Sequence, residues 1–423
     1  MKQPGSRIGR LFLQLGPGLI WAMMAIGQTH IILATYSGTN FVFSLLWVIL
    51  LAHVLSYPVF EYGPRYAVAT GESLVDAYLR VRRGRTILLA YFGIVLATLP
   101  FLGSASLLSV SASVLYAGMP QVSFNWWCGI IAFFTVVLVF AGRYKGLELT
   151  CLVMSAFLLL GTAAAFCYQL PRPADVVSGA LIPAIPAGSL VTLVALMRMP
   201  TDAPASILHS LWALKKRDAW IEEGGLQAGL KKSLLDLRIG FTLSFLIAIF
   251  FVSVGAMVLH PRGLDLEGLN LAMKLSQIYT ETVGPWTFPL FIAVAFFTLW
   301  GSYYASTDGA PRLAEKLLNG AMGKKDSPEL GRFRIIYTIV IVVGGLLLAT
   351  TVQRPVFLVI LAISTGLISY PLIYVLNIWA VTRLVDEEFR PSRLNLIIAY
   401  TGVAYSLVGV AMLLLVRVFK VWG

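Results

Sequence analysis

Apolar runs long enough to cross a bilayer recur along the whole chain, separated by short polar and basic segments. About 20 residues of helix span the hydrocarbon core. On that measure the pattern predicts eleven membrane helices, at about 11–35, 41–64, 86–117, 123–142, 147–169, 189–212, 239–259, 285–307, 333–352, 355–382 and 394–418. The first run is longer than a signal h-region and has no small-residue cleavage site, so it reads as a retained span.

Two of the runs are broken in the middle. The stretch "LGPGLIWAMMAIGQTHIILATYSG", Leu15 to Gly38, carries Gly27, Gln28, Thr29 and His30 near its centre. The sixth run, "SLVTLVALMRMPTDAPASILHSLWAL", carries Arg198, Pro200, Asp202 and Pro204. A proline removes a backbone donor and clashes with the turn before it, so two of them four residues apart predict a broken helix. Interruptions five spans apart mark an inverted-repeat transporter with a midplane binding site. Irregular backbone is tolerated at that depth only where protein buries it or a wet cavity receives it. The predicted architecture is therefore one all-α membrane domain over 1–423. Its repeat halves lie at about 11–169 and 189–382, helices 1 and 6 are broken, and an extra span follows at about 394–418.

Charge orients this arrangement. Lys and Arg number three before the first run, five between Arg65 and Arg85, and two at Arg143 and Lys145. Six more lie between Lys215 and Arg238, six between Arg312 and Arg334, and three at Arg383, Arg390 and Arg393, which makes 25 of the 32. All of these fall on one side of an eleven-span path. The positive-inside rule then predicts a cytoplasmic N-terminus and an outside C-terminus, in a plasma or bacterial inner membrane. The net charge of +12 is explained by topology rather than by nucleic acid. The basic segment Lys215 to Arg238 could also meet anionic lipid. Composition agrees: 58% of residues are hydrophobic and 12% charged, against roughly 25% charged in soluble domains. Cys128, Cys151 and Cys167 lie in apolar runs without metal or disulfide spacing and are expected to pack in the core. No nucleotide loop, paired-carboxylate site or nucleophile elbow appears, so the chain reads as a transporter that is neither an enzyme nor an ATP-driven pump, and no cofactor is implied.

"LGPGLIWAMMAIGQTHIILATYSG", followed by "LLWVILLAHVL" and "RYAVATGESL", resembles the Nramp metal-ion transporters. Gly16, Pro17, Gly18, Gly38, Leu45, Leu46, Trp47, Ala69, Thr70 and Gly71 carry the match, which is dense over roughly 15–75. The resemblance implies a LeuT-type fold and a symporter that typically imports Mn²⁺ or Fe²⁺ with protons. It also exposes departures. Where the family has Asp-Pro-Gly-Asn in span 1, an ungapped count gives Gly27, Gln28, Thr29 and His30, so the metal-binding Asp is Gly27 here and the Asn is His30. In span 6 the family's Met-Pro-His matches Met199-Pro200-Thr201 by its local letters. The downstream Leu208, His209 and Ser210 instead place Asp202 at the Met position.

The expected substrate site is thus Gly27, Gln28, Thr29, His30, Met199, Thr201 and Asp202. An intramembrane carboxylate is functional by default, and the alternative for Asp202 is an ion pair with Arg198. Asp202 and His30 are the candidate metal ligands, and Gln28 and Thr29 offer oxygens to a hard cation or hydrogen bonds to an organic solute. Arg198, His53, Asp308 and Arg312 are candidates for gating or a proton path, Asp308 standing four residues before Arg312. Ser104, Ser106, Ser109, Ser111, Ser113 and Asn377 read as helix-packing residues. His209 and His260 are expected at the interfaces. The cargo is expected to be a divalent cation with proton coupling. The alternatives are a small amino acid or amine, or a sensor or scaffold without transport.

Overall fold

The computed structural model describes residues 27–141, 153, 157, 160–168, 170–222, 224–264, 266, 268–324 and 331–418. Among them regular structure is helical, without a strand. A π-helical turn, Thr29–Ala34, leads into α1, Thr35–Phe41, and α2 covers Leu46–Thr70. The short α3, Leu74–Leu79, precedes α4, Arg85–Gly118, and α5, Phe124–Ala141. Next come α6, Pro173–Leu181, then α7, Leu190–Leu196, and α8, Pro204–Glu222. The second half continues with α9, Gly225–Val254, α10, Leu271–Thr280, α11, Thr287–Ala321, and α12, Arg332–Val352. It closes with α13, Pro355–Gly366, α14, Tyr370–Arg383, and α15, Arg393–Val418.

Eight of the described helical segments are long and apolar enough to cross a membrane. They fall on the predicted spans 2, 3, 4, 7, 8, 9, 10 and 11. Most of spans 1 and 5, with Cys151, lie outside the described residues. Span 6 is two pieces, α7 and α8, with Met197 to Ala203 between them.

Several expectations need correcting. The sequence ended span 2 at Pro64, yet α2 runs through Pro58 and Pro64 to a left-handed Gly71, whose N–H returns to the Ala67 carbonyl. Every residue from Pro58 to Val68 is buried, so tertiary packing outweighs the two lost backbone bonds. The sequence likewise ended span 8 at about 307, yet α11 runs on through Pro311 to Ala321. Span 10 is not continuous. A 3₁₀ turn at Leu367–Ser369 separates α13 from α14. Cys167 is exposed rather than packed, and His209 is buried rather than interfacial.

Around α2 pack α8, α9, α14 and α15, and around α4 pack α11, α12 and α13. Small residues set the closest approach of α1 to α9. A Cβ on Gly38 would overlap the Val252 carbonyl, and one on Gly255 would overlap that of Thr35. Asn377 on α14 donates to the Val59 carbonyl at 2.9 Å and to Ser206 Oγ at 3.1 Å, and it accepts from Tyr78. It therefore fastens α2, α3 and α8 to one another. The five α4 serines are buried, as packing residues should be.

At the basic end of the bundle, α3 starts with a capping box. Ser73 N–H donates to Asp76 Oδ2 at 2.8 Å, and Asp76 N–H donates to Ser73 Oγ at 3.4 Å. Lys316 of α11 lies 3.3 Å from the same carboxylate. Burial pushes the Asp76 carboxyl up, but the Ser73 hydroxyl and amide and the Lys316 ammonium outweigh it and hold the group below the ordinary aspartate range. Nearby, Glu315 and Arg334 form a buried pair joining α11 to α12.

Candidate functional site

The two interruptions meet. A cavity of about 180 Å³ is lined by Gly27, Gln28 and Thr29 from the first span and by Arg198, Thr201, Asp202 and Pro204 from the sixth. Its remaining wall comes from α4, chiefly Leu96, Leu99 and Leu107, from Trp212 of α8, and from Ser302 and Ser306 of α11. The lining from the first and sixth spans is therefore polar and charged, and the rest is largely apolar.

Its charge sits where the sixth span unwinds. The Met199–Pro200 peptide is cis, and Met197 to Ala203 leave the helical path. Arg198 Nη1 stands 2.7 Å from Asp202 Oδ1. The same nitrogen reaches the carbonyls of Ala362 and Ile363 on α13, each at 3.4 Å. The Arg198 side chain is only 5% exposed, whereas that of Asp202 is 41% exposed, so the carboxylate opens toward the cavity while the guanidinium is walled in. Gly366 makes the fit possible, since a Cβ there would come within 2.6 Å of both partners. Tyr370, just past the 3₁₀ turn, donates to the Arg198 carbonyl at 2.7 Å and also contacts that of Thr201. Unwound carbonyls at this depth need such donors. The site's electrostatics follow from this pair. Among the described lining residues, one acid and one base in contact sum to no net charge.

Of the sequence-predicted site residues, Gly27, Gln28, Thr29, Thr201 and Asp202 line the cavity with Arg198. Met199 is fully buried elsewhere, its carbonyl accepting from Ser56 Oγ at 3.4 Å. His30 also turns away. Its Nε2 lies 2.9 Å from Ser244 Oγ and 3.1 Å from the Ser244 carbonyl on α9. His53 reaches the same hydroxyl, Nε2 to Oγ, at 3.2 Å, and its Nδ1 lies 2.8 Å from the Ile49 carbonyl. Asp308 and Arg312 form a two-bond pair within α11, both bonds 2.8 Å. No cluster of three His, Cys, Asp or Glu able to hold a metal occurs among the described residues.

Sequence reasoning missed Tyr370, Gly366, Trp212 and Ser244. For the first two a signal existed. "STGLIS", Ser364 to Ser369, interrupts the apolar tenth run with small and polar residues, much as the first run is interrupted. Ser244 and Trp212 carry no such mark, because only the fold brings them to their partners.

Residues 18–417 match the family described as natural resistance-associated macrophage protein-like, Nramp. The chain belongs to the Nramp family. It is 30% identical over 328 residues to a Pasteurella multocida protein described as uncharacterized, the match covering 75% of this chain and 73% of that one. It is 27% identical to the divalent metal cation transporter MntH of Chromohalobacter salexigens, over 59% of this chain and 57% of that one. It is 24% identical to the metal transporter Nramp3 of Oryza sativa subsp. japonica, over 69% and 55%. The chain thus spans little more than half the length of these named metal transporters. In three dimensions it resembles the Eremococcus coleocola manganese transporter at a TM-score of 0.70 and 14% identity, covering 99% of this chain and 90% of that one. Inward-facing Mhp1 follows at 0.61 and 16% identity, covering 97% and 92%. The fold is thus the LeuT-type inverted repeat, in an integral multi-pass membrane protein whose sixth span is broken. Its family and fold are those of Nramp-like secondary transporters.

Proposed function

We propose that the cargo binds in the cavity between the two interrupted spans, with Asp202 as its charged anchor, and crosses by alternating access of the two repeat halves. The observation that carries this reading is the Asp202 carboxylate, open to the cavity at a helix break although a guanidinium touches it. The cargo that family membership supports is a divalent cation. With Gly27 in place of the family's acid, Asp202 is the one carboxylate on the cavity wall among the described residues. A single carboxylate suits a cation that keeps most of its water, Mg²⁺ about as well as Mn²⁺, with the polar wall facing the hydration shell. To bind, the cation must take the carboxylate from Arg198, so loading the site and freeing Arg198 from Asp202 are one event. The termini, in this reading, lie as the basic residues place them, N inside and C outside.

The second reading is a small zwitterion such as an amino acid. Its specific support is the pair itself, which sets one positive and one negative group side by side in the wall of a largely apolar cavity. The fold also serves organic cargo, since closed Mhp1 holds bromovinylhydantoin (TM-score 0.58). Ligand-induced thermal stabilisation separates the readings, because a ligand that binds the folded state alone raises its stability in proportion to RT ln(1 + [L]/Kd). Mn²⁺ or Mg²⁺ should stabilise the protein and drive uptake into proteoliposomes, and Asp202→Asn should abolish both while leaving the protein folded. Stabilisation by amino acids alone would move the assignment to the zwitterion. Normal uptake of any cargo by Asp202→Asn would remove the site.

A further inference from the structure

The outward stripe of α9 reads Lys231, Leu235, Ile239, Leu243 and Leu246, spaced by three or four residues and all exposed. Arg238 stands on the same stripe, beside Ile239, and is exposed too. Large apolar side chains left open on a helix that can cross a membrane face lipid. Arg238 marks where that lipid face ends. It is the last charged residue before the uncharged run 239–259, about 31 Å long at 1.5 Å per residue, which matches a hydrocarbon core about 30 Å thick. Its neighbours agree on the level. Glu61 and Arg65 bring the first formal charges on α2, and Asn395, near the start of α15, donates to Glu61 Oε2 at 3.0 Å.

The guanidinium is pinned from one side only. Arg238 Nε donates to the Tyr57 hydroxyl of α2 at 3.2 Å, and the Tyr57 ring rests edge-on against Phe241, centroids 5.3 Å apart. This bond crosses the seam between α2 and α9. Among the described residues no acceptor meets the two terminal nitrogens of Arg238. Glu61, one turn along α2 from Tyr57, is already engaged, with Arg65 Nη2 2.5 Å from its Oε1 and Asn395 on its other oxygen. Asp236 lies about 200° round α9 from Arg238. Glu388 meets α9 three turns earlier, where Gln227 donates to it at 3.2 Å. Two arginines therefore face one acid at this seam, and one positive charge is left over at the level of the membrane surface.

We propose that Arg238 is the headgroup site of one anionic phospholipid. The lipid phosphate sits on Nη1 and Nη2 of Arg238, the acyl chains run along Ile239, Leu243 and Leu246, and Lys231, two turns toward water, meets the rest of the headgroup. A planar guanidinium gives a phosphodiester two parallel N–H bonds, which an ammonium does not. The surplus charge selects an anionic lipid, because the fixed ammonium of phosphatidylcholine would be set against Lys231. The apolar stripe selects a lipid over free phosphate, since Ile239, 49% exposed, begins directly beside the guanidinium. With the phosphate in place Arg238 is held by α2 on one side and by lipid on the other, so the lipid clamps the α2–α9 seam. None of these residues lines the cargo cavity, and the site stands whatever the cargo is.

The test is native mass spectrometry of the full chain in detergent, titrated with phosphatidylglycerol or with phosphatidylcholine. The parent protein should bind a first phosphatidylglycerol more tightly than a first phosphatidylcholine. Arg238→Gln should weaken that first phosphatidylglycerol roughly 5-fold or more. Arg238→Lys should recover part of the loss, because the charge stays and the fork goes. Arg83→Gln, which removes an equal charge from the exposed loop between α3 and α4, should bind as the parent does. Millimolar inorganic phosphate should leave the lipid in place. Equal binding of the two lipids by the parent, an Arg238→Gln protein that binds like the parent, an equal loss in Arg83→Gln, or displacement by inorganic phosphate would each overturn the site. If Arg238→Gln fails to fold, Arg238→Lys decides, and binding equal to the parent's would overturn the guanidinium contact.

Discussion

Removing the base that holds the Asp202 carboxylate separates the two cargo readings more sharply than removing the acid. In Arg198→Gln the carboxylate of Asp202 loses its partner at 2.7 Å and faces the cavity alone. For a divalent cation Arg198 is a competitor, and the affinity gained equals the cost of breaking the pair in the native protein. An exposed pair is worth about 1 kcal/mol or less, whereas breaking a buried one costs about 3–5 kcal/mol. With the Arg198 side chain 5% exposed and that of Asp202 41% exposed, this pair lies between those limits, at about 1–3 kcal/mol. Mn²⁺ and Mg²⁺ should therefore bind Arg198→Gln roughly 5- to 150-fold more tightly than the parent protein. For a zwitterion the sign reverses, because the same change deletes the group that meets its carboxylate. The assay is the shift in unfolding midpoint against ligand concentration, read relative to the ligand-free variant, which itself should unfold at a lower temperature. Unchanged or weaker binding of both metals, together with unchanged binding of amino acids, would refute the idea that the pair governs the cargo site.

Three further outcomes follow from the same geometry. Gly366→Ala places a methyl within 2.6 Å of both Arg198 Nη1 and Asp202 Oδ1, so it should cost about 1–3 kcal/mol of stability and sharply reduce ligand-induced stabilisation. Tyr370→Phe leaves the Arg198 carbonyl without its 2.7 Å donor, which should destabilise the unwound segment by about 1–3 kcal/mol in a denaturation midpoint and weaken uptake while the protein still inserts. Asp76 has a folded carboxyl held below its ordinary value near 3.8, so its stabilising contribution is complete above that value and is lost as pH falls through the lowered one. The gap in thermal midpoint between the parent and Asp76→Asn should accordingly stay constant from neutral pH down to about pH 5 and close only in stronger acid.

How far the sequence could lead is clearest at the sixth span. Pro200 and Pro204 announce the break because proline acts on the backbone within one turn, and such local chemistry is readable from letters alone. The same holds for Asp308 and Arg312, whose spacing suffices to predict their pair. Pro58 and Pro64 carry the same local signal and mislead, because burial of the whole Pro58 to Val68 stretch is a property of the packed bundle. His30 shows the deeper limit. Its position in span 1 placed it at the cargo site, yet one residue of helical rotation separates Thr29, on the cavity wall, from a ring committed to Ser244. That partner lies 214 positions away and has no motif around it. Likewise the sequence counted Arg198 as the alternative to a functional Asp202, whereas the structure lets both readings stand at once. The carboxylate is paired and also open to the cavity. Where the family resemblance leads one to expect an acid in span 1, Gly27 stands here and Arg198 answers the Asp202 carboxylate, so the charges of the described cavity wall sum to zero and the proposed cargo must bind against that balance.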